Sequence, residues 1–461
     1  MTINPKYEKT IFGQLCRGVS IVLVGAGSMC SIILKENTFL DDYFDIKEVA
    51  DSQKVGKICN GKPIVSFNDI VSVKCDYIVI SILTPMIANE VRNELISIGI
   101  LKTKIIQCTV VEEMALRKEQ EYRKFLNRNS FGISRKMWIF MVPEHGNAGD
   151  YAIAFSEIDF IHTFFEEYET VTVTTLEWRY ASDYIKSKIS DDDVIFLNGG
   201  GYLGDLWEGD SDDFRGIVNA FPENVIFFFP NTMSYKDSLE GSVTFRQDME
   251  CFRSKKNLYV MLRDKTSYEQ YVKYDERAAL FPDMVLFQGA FSREYIESMK
   301  SERCDKVLLC LRKDREKVTD IDDQIKKSLH ENGFDFDEIE INTQRHIEFD
   351  QGDEYIREIC DKMKQYRCVI TDRLHGTVFA MKTEVPCITI DNLTHKITGM
   401  LKWQDNEKYV LLHTNDEFDA KEEIEVAVER KNKAGKYFFS ECEYISMANY
   451  IRSRLDGSQD E

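Results

Sequence analysis

The sequence predicts an α/β protein built from successive open, mostly parallel sheets, and three observations carry that reading. Short β-branched apolar runs alternate with amphipathic stretches of helical spacing along the chain, which is the rhythm of repeated βα units. Several of those runs end in residues that open directly into a helix: Val24 into Gly25, Leu197 into Asn198, Leu262 into Arg263 and Thr371 into Asp372. The length of 461 residues suggests about three domains, and 43% hydrophobic residues supply their cores.

Composition narrows the function. Acidic residues number 79 against 59 basic, a formal charge of −20. That balance disfavours nucleic acid or an anionic membrane as partner, so an anionic substrate must be captured by a local group of cations. The twelve cysteines are scattered, many inside apolar runs, with no Cys-x-x-Cys pair. This favours reduced thiols in a cytoplasmic protein over disulfides or a zinc site, and no metal is expected. No run approaches the ~20 apolar residues of a membrane span, and the N-terminus lacks a long apolar core.

A first domain is expected over residues 1–130. The strand Ser20 to Val24 runs into Gly25-Ala26-Gly27-Ser28-Met29-Cys30 and a helix, a partial dinucleotide fingerprint in which Cys30 stands where the third glycine belongs. Asp51, after the strand Ile46 to Ala50, falls where a ribose-binding acid would lie. Gly25, Gly27 and Asp51 are therefore cofactor-binding candidates of a Rossmann-like domain, with a nucleotide as the ligand; the alternative is a scaffold. Strands at Tyr77 to Leu83 and Lys104 to Val110 flank a helix near Ile87 to Ile98, and the charged stretch Glu112 to Asn129 reads as a solvated helix between domains.

The second domain is expected over residues 131–300. Met137 to Val142 is a strand leading through Pro143-Glu144-His145-Gly146-Asn147-Ala148-Gly149-Asp150 into an apolar helix, Tyr151 to Phe165. The glycines and Asn147 suit a tight turn with exposed amides, while Asp150 is either the helix N-cap or a group aimed at substrate. The construction recurs where the strand Val194 to Leu197 meets Asn198-Gly199-Gly200-Gly201-Tyr202-Leu203-Gly204-Asp205. Successive glycines bring backbone close to something, either a ligand or a neighbouring strand. Val225 to Phe229 ends in Pro230-Asn231-Thr232, and Leu258 to Leu262 ends in Arg263-Asp264, whose bland reading is a local ion pair. Ala279 to Leu286, with Pro282-Asp283, closes the domain.

The third domain, residues 301–461, starts with the strand Lys306 to Leu311 and a helix from Ile321 to Leu329. A short strand, Glu338 to Ile341, and an amphipathic helix, Asp353 to Tyr366, lead to the run VITDRLHGTVFA from Val369 to Ala380. There a strand passes straight into a helix with apolar spacing at Leu374, Val378, Phe379 and Met381. Ligands of open α/β sheets bind outside the strand carboxyl ends, where helix amides favour an anion. Arg373 and His375 are thus candidates for a phosphate or carboxylate site; alternatively, Arg373 pairs with Asp372 and His375 packs under the helix. Pro386 to Ile390 is a further strand, before Thr394-His395-Lys396 and a helix toward Trp403. Asp416 to Arg430 and Ser440 to Arg454 read as surface helices, the last crossing back over the interface. Two α/β units with ligand groups at facing strand ends make a glycosyltransferase-B-like arrangement.

The segments GNAGDYAI (Gly146 to Ile153), NGGGYLGD (Asn198 to Asp205), RDKTSYE (Arg263 to Glu269), PDMVL (Pro282 to Leu286), ITDRLHGTVFA (Ile370 to Ala380) and VPCITID (Val385 to Asp391) together resemble the polysaccharide pyruvyl transferase family. The resemblance runs in order from about Met137 to Trp403, leaving the first domain outside it. It implies a GT-B-like fold and transfer of pyruvate from phosphoenolpyruvate to hydroxyls of a sugar, lipid-linked or free, giving a ketal and phosphate. No redox or metal cofactor is required by that reaction.

By this resemblance Arg263, Arg373, Leu374 and His375 bind phosphoenolpyruvate, whose two anionic groups suit arginine forks. His375 is a candidate acid or phosphate clamp, and Asp150 and Asp205 are candidates for orienting or deprotonating the acceptor. Asn147, Gly200, Gly201 and Lys396 complete the substrate-binding candidates, with Lys396 equally readable as a solvated helix lysine. The rival readings are a glycosyltransferase using a nucleotide-sugar and a binding protein of polysaccharide assembly without catalysis.

Overall fold

The computed structural model describes residues 7–207, 209–287, 293–298, 303–313, 321–343, 345–391, 396–415, 417–435 and 441–457. The chain divides into two compact units, one of Met1–Arg128 with Arg179–Tyr184 and the other of Asn129–Trp178 with Ile185–Glu461.

In the first unit, β1 (Ser20–Val24), β2 (Asp45–Ala50), β3 (Ile58–Cys59), β4 (Lys62–Val65), β5 (Tyr77–Ile80) and β6 (Ile105–Gln107) form a sheet in the order β3-β4-β2-β1-β5-β6. All neighbours are parallel except the β3–β4 hairpin. Strand alternation divides β1 between two cores. Ile21 and Leu23 meet Met29, Ile33 and Leu116 on one face, and Val22 and Val24 meet Ala88, Val91 and Leu95 on the other. Sequence read the stretch Glu112 to Asn129 as a solvated connector; the helix Val110–Arg128 that forms there is packed instead. Leu116 and Phe125 are buried, Gln120 donates to the Ile32 carbonyl, and Arg123 is paired with the fully buried Glu36. Its charges mark a helix packed through a buried ion pair.

The second unit contains two further parallel sheets. The first comprises β7 (Lys136–Val142), β9 (Glu169–Thr174), β10 (Val194–Leu197), β11 (Gly200–Gly204), β12 (Val225–Ser234), β13 (Leu258–Leu262) and β14 (Ala279–Leu280), in the order β14-β13-β12-β10-β7-β9 with β11 beside β12. The second, of β15 (Val307–Cys310), β16 (Phe336–Glu338), β18 (Cys368–Thr371), β19 (Cys387–Ile390) and β20 (Leu411–His413), runs β16-β15-β18-β19-β20. A two-residue antiparallel ladder joins β8 (Gly146–Asn147) to β17 (Asn342–Thr343).

These sheets share a core. Leu308, Cys310 and Val369 cluster with Phe196, Phe227 and Phe229, while the alternate residues Val307, Leu309 and Ile370 pack on Ile325 and Ile424. The helices Ala148–Phe164 and Gly352–Lys364 both contribute to the shared cluster, which makes this a GT-B-like pair of Rossmann-like sheets.

Three differences from the sequence reading have physical causes. The run Glu169 to Thr174 forms the edge strand β9, where Val171 and Val173 alternate with threonines and all of the last four residues are buried. The glycine stretch after β10 is a strand, β11, brought onto β12: a Cβ on Gly204 would lie 1.8 Å from the Ser234 carbonyl oxygen. The helix Ala420–Ala434 is half-buried through Ile424 and Ala427 rather than lying on the surface. The C-terminal helix Cys442–Gly457 does cross back, with Tyr444 donating to the Asp283 carbonyl at 2.7 Å and Tyr450 to the Arg277 carbonyl at 2.9 Å.

Candidate functional site

At the end of β18, Thr371 accepts the Arg373 amide at 3.1 Å and donates to the Cys310 carbonyl at 2.8 Å. Arg373 occupies the N-cap position, and the helix Leu374–Lys382 begins at once. Only glycine fits at position 376, where a Cβ would sit 2.5 Å from Thr371 Oγ1. Arg373 turns its guanidinium to Glu340 at 2.6 Å, while Asp372 accepts the Arg312 amide at 2.8 Å.

His375 stands in the first turn of that helix, with Nε2 3.8 Å from Asp283 Oδ2 and in no hydrogen bond among the described residues. Asp283 is the hub of the group. It receives Arg263 Nη1 at 2.6 Å and the Val285 amide at 2.9 Å. Burial pushes its carboxyl pKa up, but the charges of Arg263 and His375 and the Val285 amide outweigh burial and hold it well below the usual range. Arg263, at the end of β13, also donates Nε to Thr232 Oγ1 at 2.8 Å, and its neighbour Asp264 caps the following helix through Ser267.

The glycine strand passes over this guanidinium, with the Cβ position of Gly201 3.5 Å from Arg263 Nη2. Gly200, at φ +120°, holds a conformation few L-residues tolerate. Beneath the strand, the fully buried Glu157 accepts the Gly199 amide at 2.7 Å. Burial drives its pKa well above the ordinary carboxylate value, with Asp283 adding to the rise and the Gly199 amide opposing it.

A second helix N-terminus meets His375. Asn147 caps the helix Ala148–Phe164 by accepting the Gly149 amide at 3.2 Å, so the capping role falls to Asn147 and Asp150 lies in the first turn. A Cβ on Gly149 would lie 1.9 Å from His375 Nδ1, so the backbone of that turn rests on the imidazole. Asp150 Oδ2 accepts Asn147 Nδ2 at 2.6 Å and lies 3.7 Å from His145 Nε2, which is 3.4 Å from the Tyr202 hydroxyl. The β8–β17 ladder, the Ala148 amide on the Ile341 carbonyl at 2.8 Å and the Tyr355 hydroxyl on the Gly146 carbonyl at 2.8 Å fix the turn to the Glu340 side.

The structure thus brings together Arg263, Arg373, Leu374, His375, Asn147, Asp150, Gly200 and Gly201. It places Asp205 elsewhere, at the end of β11, where Oδ1 accepts the Lys236 amide at 2.7 Å. The side chain of Lys396 lies outside the described residues. In the first unit, Gly25 has φ +97° and its Cβ position falls 2.4 Å from Ile82 Cγ1. Asp51 there accepts the Ala26 amide at 2.8 Å through Oδ2 and the Gln53 amide at 2.8 Å through Oδ1, and Gly27 has open space around its Cβ position.

Four participants escaped the sequence reading: Asp283, Glu340, Thr232 and Glu157. Thr232 carried a signal, lying just past the apolar run Val225 to Phe229, and Asp283 follows β14, whereas Glu157 sits inside an apolar helix and Glu340, read in sequence as part of a short strand from Glu338 to Ile341, lies beyond β16. Glu144, His346 and Glu348 also bring potential ligand atoms within 4.8 Å of one another, a grouping that no sequence spacing indicates. The space lined by Thr232, Arg263, Asp283, Leu374, Met400 and Trp403 measures only about 10 Å³.

Residues 147–394 match the family described as Polysaccharide pyruvyl transferase. General stress protein 30 of Bacillus subtilis (strain 168) is 28% identical over 301 residues, covering 64% of this chain and 85% of that protein. Pyruvyl transferase 1 of Schizosaccharomyces pombe (strain 972 / ATCC 24843) is 24% identical over 284 residues, covering 58% of this chain and 68% of that protein. The matched segment spans more than half of the 461 residues and contains Arg263, Asp283, Arg373 and His375. The chain belongs to the polysaccharide pyruvyl transferase family, and is a transferase.

Proposed function

We propose that the protein transfers the pyruvyl carbons of phosphoenolpyruvate to two hydroxyls of a sugar in a polysaccharide precursor, forming a cyclic ketal and releasing phosphate. The observation that carries this reading is the meeting of two helix N-termini at His375, flanked by Arg263 and Arg373, in a protein of net charge −20. Such a focus of amides and guanidinium groups suits a small molecule bearing both a phosphate and a carboxylate. A nucleotide-sugar presents no such compact pair.

His375 Nε2, 3.8 Å from Asp283 Oδ2, is the general acid this reading assigns to the donor side. In the reaction it protonates the methylene carbon, and the electron pair of the double bond forms the new C–H bond. One sugar hydroxyl attacks the resulting oxocarbenium-like carbon and loses its proton. The bond to the phosphate oxygen then breaks, and a second hydroxyl closes the ketal with loss of its own proton. Asp150, ordered by Asn147 and facing His145, is the base this reading assigns to the acceptor side.

The test is incubation with phosphoenolpyruvate and a panel of sugar acceptors, following phosphate release and acceptor mass together. The expected result is a matched gain, abolished in Arg373→Ala and His375→Ala variants that keep their fold. Turnover at the wild-type rate in either variant, or no acceptor-dependent gain with any sugar, would sink the reading.

A further inference from the structure

Beyond the end of β12 lies a cavity of about 540 Å³ that the residues of the Arg263 and His375 group do not line. Its wall carries Tyr235, Lys236, Phe245, Arg246, Arg253 and Tyr274, with Glu250 as its one acid. Arg246 and Arg253 are seven residues apart on the helix Leu239–Ser254, hence two turns apart on one face, and Lys236 precedes that helix. Among the described residues none of these three cations is in a salt bridge. That contrasts with Arg263 and Arg373, each already paired with a carboxylate. Three cations against the single acid Glu250 give this cavity a positive lining in a chain of net charge −20, which favours an anion.

The wall is held from behind. Phe245 meets Tyr235 and Tyr274 edge-on at 5.0 and 4.9 Å. The Tyr235 hydroxyl donates to the buried Asp248 at 2.7 Å, and Asp248 is fixed by Arg215 and by Ser211 at 2.8 Å. Such ordered rings offer faces and edges for a sugar, and their rigidity lowers the cost of binding.

The two strands β11 and β12 link the cavity to the transfer site. Thr232, which holds Arg263, and Tyr235, which lines the cavity just past the end of β12, are three residues apart, no more than about 10 Å along the chain at the rise of a β-strand. Strand β11 covers the same interval, with Gly201 over Arg263 and Gly204 against Ser234, and its last neighbour Asp205 holds the Lys236 amide.

We infer that this cavity is an acceptor subsite for a phosphate-bearing saccharide: Lys236, Arg246 and Arg253 bind the phosphate, the aromatic wall takes the adjoining sugar, and the hydroxyls to be modified reach toward Arg263. The inference rests on the pyruvyl-transfer reading for its direction, but the binding it asserts is measurable without turnover.

The experiment is calorimetric titration of the full chain with inorganic pyrophosphate, a hexose 1-phosphate and the neutral hexose. The wild type binds the hexose phosphate more tightly than either pyrophosphate or the neutral sugar. Arg246→Gln combined with Arg253→Gln weakens both phosphate ligands by roughly tenfold or more, as expected for lost charge-assisted hydrogen bonds. Tyr274→Ala weakens the hexose phosphate alone. Both changes lie on exposed side chains, and circular dichroism confirms that the variants fold. Phosphate binding that is indifferent to the double change overturns the site. Pyrophosphate binding as tight as that of the hexose phosphate, unaffected by Tyr274→Ala, overturns the acceptor assignment in favour of a free-phosphate site. A chain that binds hexose phosphate as described but never turns over phosphoenolpyruvate retains this subsite and loses only the transfer reading.

Discussion

At the scale of single residues, the buried acids decide how the site is held. Glu157 is fully buried and its pKa is raised, so the folded chain favours the protonated form. The sign follows from linkage: its contribution to stability is complete below the unfolded value of about 4.3 and is lost as pH rises toward the folded value. Glu157→Gln keeps an oxygen for the Gly199 amide and cannot ionise. Denaturant midpoints measured from pH 4 to 9 are therefore expected to fall less steeply with rising pH in the variant than in the wild type, and parallel curves would refute the assignment. Asp283 obeys the opposite rule, being held ionised by Arg263 and His375. Sequence placed Arg263, Arg373 and His375 at strand ends because a strand-to-helix junction is a local pattern. It offered Asp264 and Asp372 as their partners because only neighbours are visible in a sequence; Asp283 and Glu340, twenty and thirty-three residues away, became partners through folding.

Among the elements, the most constrained contact is between two helix starts. The turn at Gly149 rests on His375, with no room for even one carbon. Gly149→Ala therefore forces the turn and the imidazole apart by more than an ångström. Since such misplacement can cost about 10²-fold in rate, turnover should fall at least tenfold while the circular dichroism spectrum stays that of the wild type. Unchanged turnover would mean that His375 is free to move without consequence. The sequence made this turn visible as glycines after a strand, and left open whether the glycines of NGGGYLG served a ligand or a strand. The stretch is a strand, β11, whose last glycine, Gly204, must approach the Ser234 carbonyl, while Gly201 lies over Arg263. Local periodicity could not say so: five residues rich in glycine have almost no side-chain pattern to read.

For the second unit as a whole, the chain end ties its two sheets together. The helix Cys442–Gly457 follows the second sheet in sequence, yet packs Tyr444 against Phe160 and Phe287 and donates its hydroxyl to the carbonyl of Asp283. Tyr444→Ala is expected to cost about 3–5 kcal/mol, the range for deleting a buried aromatic, with urea denaturation as the measure. A loss below about 1 kcal/mol would show that the crossing helix is not part of the shared core. Lys382, on the helix that begins beside His375, reaches the Phe287 carbonyl in the same region, and burial pushes its pKa down to about 7. By itself the sequence determined the α/β class, most strands, the strand-end location of the cations and the resemblance to a family, because each is written in short-range periodicity and contiguous motifs. Tertiary structure alone decided which acids hold those cations, that Glu157 lies beneath the glycine strand, and that two helix starts meet at His375. These depend on chain segments brought together by burying a common core, and no local pattern records which distant segment will arrive.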